Sequence, residues 1–376
     1  MNVKKKISLF SPQLGEEEKQ VLNEVIDSGW LTMGDRVAAF ERAFADLHGA
    51  TNAIAVNSCT AALHLSLAAL NIGPGDEVIV PSLTFVATAN AVLYVGATPV
   101  FADIQDLGIP HISLKDAKAK CTPKTKAVIV MHYGGYPVDL ATWRSFSDER
   151  GLSLVEDAAH APGLGSVGRS SDASAFSFFS NKNMSTAEGG AVLTRDPSVL
   201  KRIHYMRSHG MTTGTLDRDR GHAYSYDVTL VGYNYRMDEL RAAMGLVQLA
   251  RLQQWNKRRY ELSNCYRQLL TAQIPELVVP FDSTHETAAH LMPVLLPPGV
   301  NKQRVIDHLR DVNIQSSIHY PPIHKFSYYL ERFPDVILPK TEEFCAREIT
   351  LPLHPSLTED DVVRVVDSLQ KAVDGT

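Results

Sequence analysis

The run Val155-Glu156-Asp157-Ala158-Ala159-His160 is followed, 25 positions after Asp157, by Lys182 within Ser177-Phe178-Phe179-Ser180-Asn181-Lys182-Asn183. A lysine amine can attack a carbonyl to form an imine, and a carboxylate close to a basic nitrogen keeps that nitrogen cationic. His160, three residues after Asp157, would lie near the same place. Taken singly, each residue has an ordinary reading: a solvated lysine, an Asp in a strand-end turn, a satisfied structural histidine. Taken together, with the aspartate just past an apolar strand, they point to a lysine that carries a cofactor.

A second feature suits an anion. Ser58-Cys59-Thr60 lies where the apolar Ala53–Val56 run gives way to a helical pattern with Ala61, Leu65 and Ala68. The first N–H groups of a helix have no intrahelical acceptor and face an anion with the positive end of the helix dipole. Ser58 as a simple N-cap is compatible with that role. By contrast, Gly163-Leu164-Gly165-Ser166-Val167-Gly168 matches G-x-G-x-x-G only formally. Seven residues separate it from Val155, and a turn into a further apolar run follows it, so the strand and helix that a dinucleotide cradle requires are missing. His132, His204, His209, His319 and His324 show no metal-ligand spacing, and Cys59, Cys121, Cys265 and Cys345 form no C-x-x-C pair. The sequence predicts no metal site and no disulfide framework, which fits a reducing cytoplasm.

The elements that must position these groups follow from hydrophobic period. Ala53–Val56, Glu77–Val80, Thr98–Phe101, Ala127–Met131, Leu152–Val155 and Ala173–Phe178 read as strands, with helical patterns between most of them. That alternation predicts an α/β fold with a mostly parallel sheet covered by helices on both faces. Before it, the stretch after Leu14 reads as an opening helix with Val21, Val25 and Ile26 on one stripe and Gly29 as its stop. After it, Leu240, Met244, Val247 and Leu252 mark a long helix that joins the halves. Past residue 255 the order changes to separate strands such as His290–Leu296, a helix near Lys302–Val312 and a closing helix over Glu359–Val373 capped by Thr358. The expected division is a large domain over residues 1–254 and a smaller α+β domain over 255–376.

With 376 residues, 44% hydrophobic, the chain can bury a sizeable core. The 37 Lys and Arg against 42 Asp and Glu give a net charge of −5, so no basic excess advertises nucleic acid. No stretch approaches the roughly 20 apolar residues of a membrane span, and Lys4-Lys5-Lys6 is followed by too short an apolar run for a signal peptide. No nucleic-acid or membrane partner is expected.

Longer motifs carry a resemblance. S-G-W-L-T around Gly29, N-S-C-T-A-A-L-H-L from Asn57, G-P-G-D-E-V-I-V-P-S-L-T-F-V-A-T-A-N from Gly73, E-D-A-A-H from Glu156, S-N-K-N from Ser180 and G-Y-N-Y-R-M-D-E-L from Gly232 are spread over much of the chain. Together they resemble the DegT/DnrJ/EryC1/StrS family of sugar aminotransferases, which use pyridoxal 5'-phosphate on the fold-type-I scaffold. The resemblance implies that Lys182 binds the cofactor and shuttles a proton, and that Asp157 faces the pyridine nitrogen and makes the ring an electron sink. It implies further that Ser58, Cys59, Thr60 and Ser177 hold the phosphate, that Phe85 stacks on the ring, and that His160 lies beside it. Many relatives have Gly where this chain has Cys59. Asn234, in G-Y-N-Y-R-M, would reach the phosphate of the neighbouring subunit, which implies a homodimer with shared active sites. The implied reaction moves an amino group from a donor, L-glutamate, to a keto group of a nucleotide-linked sugar. Two alternatives are a dehydratase of the same family, in which histidine replaces the lysine, and a non-catalytic binding relative; Lys182 argues against the first, and Asp157 with Lys182 against the second. Loops such as Met211–Gly221 would choose the sugar, and Ile318-His319-Tyr320-Pro321-Pro322 resembles a stretch beside the active-site entrance.

Overall fold

The computed structural model describes residues 5–214, 221 and 225–375, so most of the Met211–Gly221 loop lies outside the described residues. Two helices, α1 (Glu16–Ser28) and α2 (Asp35–His48), lead into an alternating series. It runs β1 (Ala53–Val56), α3 (Cys59–Ala69), β2 (Glu77–Pro81), α4 (Ala87–Tyr94), β3 (Thr98–Ala102), α5 (Leu114–Lys120) and β4 (Thr125–Met131), then α6 (Leu140–Arg150), β5 (Ser153–Asp157), β6 (Ala173–Ser177), β7 (Gly190–Leu193) and α7 (Pro197–Met206). The seven strands form one sheet in the order β1-β7-β6-β5-β4-β2-β3. Only β7 runs antiparallel to its neighbours, so the sheet is mostly parallel, as the alternation predicts. The strands are apolar and buried because helices cover both faces.

Register decides where the chemistry sits. Met131 pairs with Asp157, Asp157 with Ala175, and Ser177 with Gly190, so the carboxyl ends of β4, β5 and β6 open on one edge. Ligands of open α/β sheets bind there.

The long helix α8 (Glu239–Gln273) passes unbroken through residues 254 and 255, so the expected boundary falls inside a helix. After it come β8 (Met292–Leu295), α9 (Lys302–Asp311), two short helices, α10 (Ser327–Arg332) and α11 (Pro339–Arg347), then β9 (Glu348–Leu351) and α12 (Glu359–Asp374). The C-terminal half of α8 packs with β8, α9, β9 and α12 around a second core of Leu262, Tyr266, Val294, Ile349 and Val366. Ile7 joins this second core and bridges to Ile314, so the start of the chain packs with its end. β8 and β9 form their own antiparallel pair, and Thr358 caps α12 through the Asp361 N–H.

Two stripes differ from expectation. In α1, Val25 is buried but Ile26 is 61% exposed, and Glu18 is buried instead, where Gln248 and Arg251 donate to its carboxylate. In α8 the buried positions include Ala242, Ala243, Gly245, Leu249 and Leu252, whereas Leu240, Met244 and Val247 are half-buried. The cause is close approach: a Cβ on Gly245 would stand 2.8 Å from the Phe40 ring, so small residues face α2. The Gly163–Gly168 segment forms a turn region, where Gly163 N–H donates to His48 and Gly168 N–H to Glu156.

Candidate active site

A cavity of about 400 Å³ opens at the carboxyl edge of the sheet. Ser58, Cys59, Thr60, Phe85, Asp157, His160, Ser177 and Lys182 all line it. Asn234 does not: it is exposed, and its carbonyl accepts from Asn57 Nδ2.

Lys182 follows β6 in a turn closed by its own N–H to the Phe179 carbonyl. Among the described residues its Nζ has no hydrogen-bond partner. Burial pulls the amine down from the usual lysine range to about 8, against the opposing pull of the Asp157 carboxylate. The amine therefore gains free base near neutral pH.

Asp157 closes β5. Thr88 Oγ1 donates to its Oδ2 at 2.6 Å and the Ala159 N–H to its Oδ1 at 3.2 Å. Burial raises this carboxyl above the usual range, and the two donors and Lys182 oppose that rise. Thr88 in turn shares a hydrogen bond of 2.8 Å with Thr84. Replacing Thr88 with Val removes a donor to the charged form at nearly constant shape. The acid limb of the kcat/KM profile should then move to higher pH, with roughly a tenfold loss on that limb; an unmoved profile would show that Thr88 does not tune Asp157.

The tautomer of His160 can be read from its partners. Gly134 N–H donates to Nδ1 at 3.2 Å, so the proton sits on Nε2, which lies 2.9 Å from the Tyr320 hydroxyl oxygen. Nε2–H donates to that oxygen, which leaves the Tyr320 O–H free to donate into the cavity. Burial first, then the Lys182 charge, holds His160 well below its ordinary range and so neutral. Burial also pushes the Tyr320 phenol up, which keeps its proton in place.

At the other end of the cavity Ser58 is extended and caps α3, its Oγ accepting from Ala61 N–H at 3.1 Å. The N–H groups at the start of α3 are then the donors available to an anion. Gly190 makes the turn possible, because a Cβ there would meet Ser58 C at 2.6 Å and Cys59 N at 2.7 Å. Burial, then the Asp157 charge, pushes the Cys59 thiol well up, so it stays neutral. Phe85 is 55% exposed and lines the cavity. An anion donor set, a free amine and a buried carboxylate on one cavity fit a pyridine ring that carries a phosphate and an aldehyde.

The family model of the DegT/DnrJ/EryC1/StrS aminotransferase family matches residues 12–370. The chain belongs to that family. It is 40% identical to the spore coat polysaccharide biosynthesis protein SpsC of Bacillus subtilis (strain 168), over 97% of this chain and 96% of that one. The sugar aminotransferase Spr1654 of Streptococcus pneumoniae, described as putative and solved in a PMP form, superposes with a TM-score of 0.90 at 28% identity, covering 98% of this chain and 99% of that one. DesI, solved in the presence of its TDP-sugar product, superposes with a TM-score of 0.87 at 31% identity, over 98% and 94%. As a family member the chain is a pyridoxal-phosphate-dependent sugar aminotransferase on an α/β fold.

Sequence reasoning places the groups at the sheet edge and, by resemblance, the Ile318–Pro322 stretch beside the entrance, but it gives Tyr320, His319 and Thr88 no role. Thr88 sits unremarked inside the T-F-V-A-T-A-N motif. Tyr320 arrives 160 positions after its partner His160, so no local spacing could have joined them.

Proposed function

We propose that this family member transfers an amino group from L-glutamate to a keto group of a nucleotide-linked sugar, as a homodimer. The carrying observation is the Lys182 amine, free of hydrogen bonds to the described residues, on one cavity with the buried Asp157 carboxylate. When bound, pyridoxal phosphate supplies a carbonyl for the amine and a ring that takes up the electron pair left by proton removal. The chain does the rest. Ser58, Thr60 and Ser177 hold the phosphate, Phe85 covers one ring face, and Asp157 keeps the ring nitrogen protonated. Lys182, once released, moves the proton at the reacting carbon. Tyr320, with its O–H directed inward by His160, orients an oxygen of the substrate. The nucleotide-linked acceptor is supported by the TDP-sugar product of DesI, a protein this chain resembles.

Purified protein incubated with glutamate and a panel of nucleotide keto-sugars should yield an amino-sugar nucleotide by mass spectrometry. If only dehydrated sugars appeared, the dehydratase reading would replace this one.

The dimer reading rests on surfaces left open by one chain. Phe85 and Phe179 are exposed at the cavity, and Val231, near Asn234, is 82% exposed. A second copy would cover these apolar groups and bring Asn234 to the neighbouring phosphate. Coexpressed Lys182→Ala and Asn234→Ala variants, each inactive alone, should regain activity in mixed dimers, where one site has both groups. Verified mixed dimers without activity, or an active monomer in sedimentation, would defeat the shared site.

A further inference from the structure

Strand β9 reads Glu348-Ile349-Thr350-Leu351. Its period of two sends Ile349 and Leu351 into the second core and puts Glu348 and Thr350 on the other face, both fully buried. That face meets His319. His319 Nδ1 lies 2.9 Å from Thr350 Oγ1, and Thr350 Oγ1 lies 2.5 Å from Glu348 Oε1. The other carboxyl oxygen, Oε2, accepts the His319 backbone N–H at 2.9 Å, while Tyr133 Oη donates to the His319 carbonyl at 2.5 Å. A bridge between Ser317 and Thr350 fixes the approach of the two segments. His319 itself lines the active-site cavity, and its Nε2 has no hydrogen-bond partner among the described residues.

We propose that Glu348, acting through Thr350, is a positioning residue that decides whether His319 presents an N–H or a lone pair to the cavity. The logic is one of donors and acceptors. An ionised Glu348 can only accept, so Thr350 O–H donates to it, the Thr350 oxygen takes Nδ1–H, and Nε2 is left with a lone pair. A protonated Glu348 donates Oε1–H to Thr350, Thr350 O–H donates to Nδ1, and Nε2 carries the hydrogen. Passing from the second state to the first releases one proton. The Glu348 hydrogen moves to Thr350, the Thr350 hydrogen moves to Nδ1, and the Nε2 hydrogen leaves to cavity water. The N–H form suits a keto or phosphate oxygen of a substrate; the lone-pair form suits a hydroxyl or an ammonium group.

The surroundings place the change in an accessible range. Glu348 is faced by Lys302 of α9, Cys345 of α11, Tyr133 and Tyr320, with no ion pair to it among the described residues. Burial pushes its carboxyl up to about 8, with Thr350, the His319 N–H and Lys302 opposing. Burial and the Lys182 charge hold His319 down to about 3, so the ring changes tautomer without becoming cationic. Cys345, pushed up to about 12, and Tyr133, pushed well up, keep their protons. The free Lys182 amine, at about 8, titrates in the same range, and its covalent bond to the cofactor removes it from the holoenzyme.

The test is side-chain NMR of the holoenzyme labelled with ¹⁵N-histidine, from about pH 6 to 10, with the His319 signals assigned by their loss in His319→Gln. In the wild type the pyrrole-like resonance should pass from Nε2 to Nδ1 as pH rises through about 8. Glu348→Gln should lock the Nε2–H form at every pH. Its amide oxygen must accept the His319 N–H, so its NH₂ donates to Thr350 and Thr350 donates to Nδ1. Thr350→Val should uncouple the ring from the carboxyl and abolish the transition. A wild-type ring with one tautomer throughout would overturn the proposal. So would a transition that survives in Glu348→Gln, which would assign it to another group, or one that survives in Thr350→Val. No substrate enters this experiment, so its failure is distinct from failure of the amino-transfer reading.

Discussion

Lys182→Ala should lower turnover by about 10⁴-fold or more, because one substitution removes both the amine that holds the cofactor and the group that moves the proton. The fold should survive. Nζ makes no hydrogen bond to the described residues, so truncation leaves no buried partner unsatisfied. The variant should still take up the cofactor noncovalently through the start of α3, Ser177 and Phe85. Turnover within about tenfold of wild type would remove Lys182 from the chemistry. The native amine also carries a pH signature. Below its value of about 8 the free-base fraction grows with pH, so the rate at which the apoprotein attaches pyridoxal phosphate covalently should rise about tenfold per pH unit and level off above 8. Stopped-flow absorbance across about pH 6–10 reads this directly; an amine with an ordinary lysine value would keep the rate rising past about 9.

Asp157→Asn should cost about 10²–10⁴-fold in kcat while changing stability by only about 1 kcal/mol. The asymmetry follows from the contacts. The Asn oxygen can keep the Ala159 N–H, and its NH₂ can donate to Thr88, which can turn its own hydroxyl toward Thr84. The hydrogen-bond network closes again, but the charge that favours a protonated ring nitrogen is gone. Thermal denaturation beside steady-state kinetics separates the two effects. Near-normal turnover would remove the electron-sink role, and gross unfolding would make Asp157 structural.

The parallel strands were legible because a strand covered on both faces is a continuous apolar run: Ala53–Val56 and the cores of β2 to β6 lie where the sequence predicts them. β7 was not, since Gly190-Ala191-Val192-Leu193 is short and starts on a glycine needed for contact with Ser58 rather than for sheet propensity. The stripe of α8 is rotated because hydrophobic period marks the larger apolar residues, whereas the tight contact with α2 selects Ala242 and Gly245. The eight predicted residues that line the cavity come from motifs that end at strand carboxyl termini, where local sequence and site coincide. His319 and Tyr320 come from beyond the long helix, and the Glu348–Thr350 face is visible only once β9 is seen against them.

The central claim is that Lys182 is the amine that carries the cofactor on the cavity it shares with Asp157. Borohydride reduction of the yellow holoenzyme, followed by peptide mapping, tests it most directly. The phosphopyridoxyl label should fall on Lys182 in near-stoichiometric yield, and Lys182→Ala should take up none. A label on any other lysine, or an unlabelled protein with full activity, would contradict it.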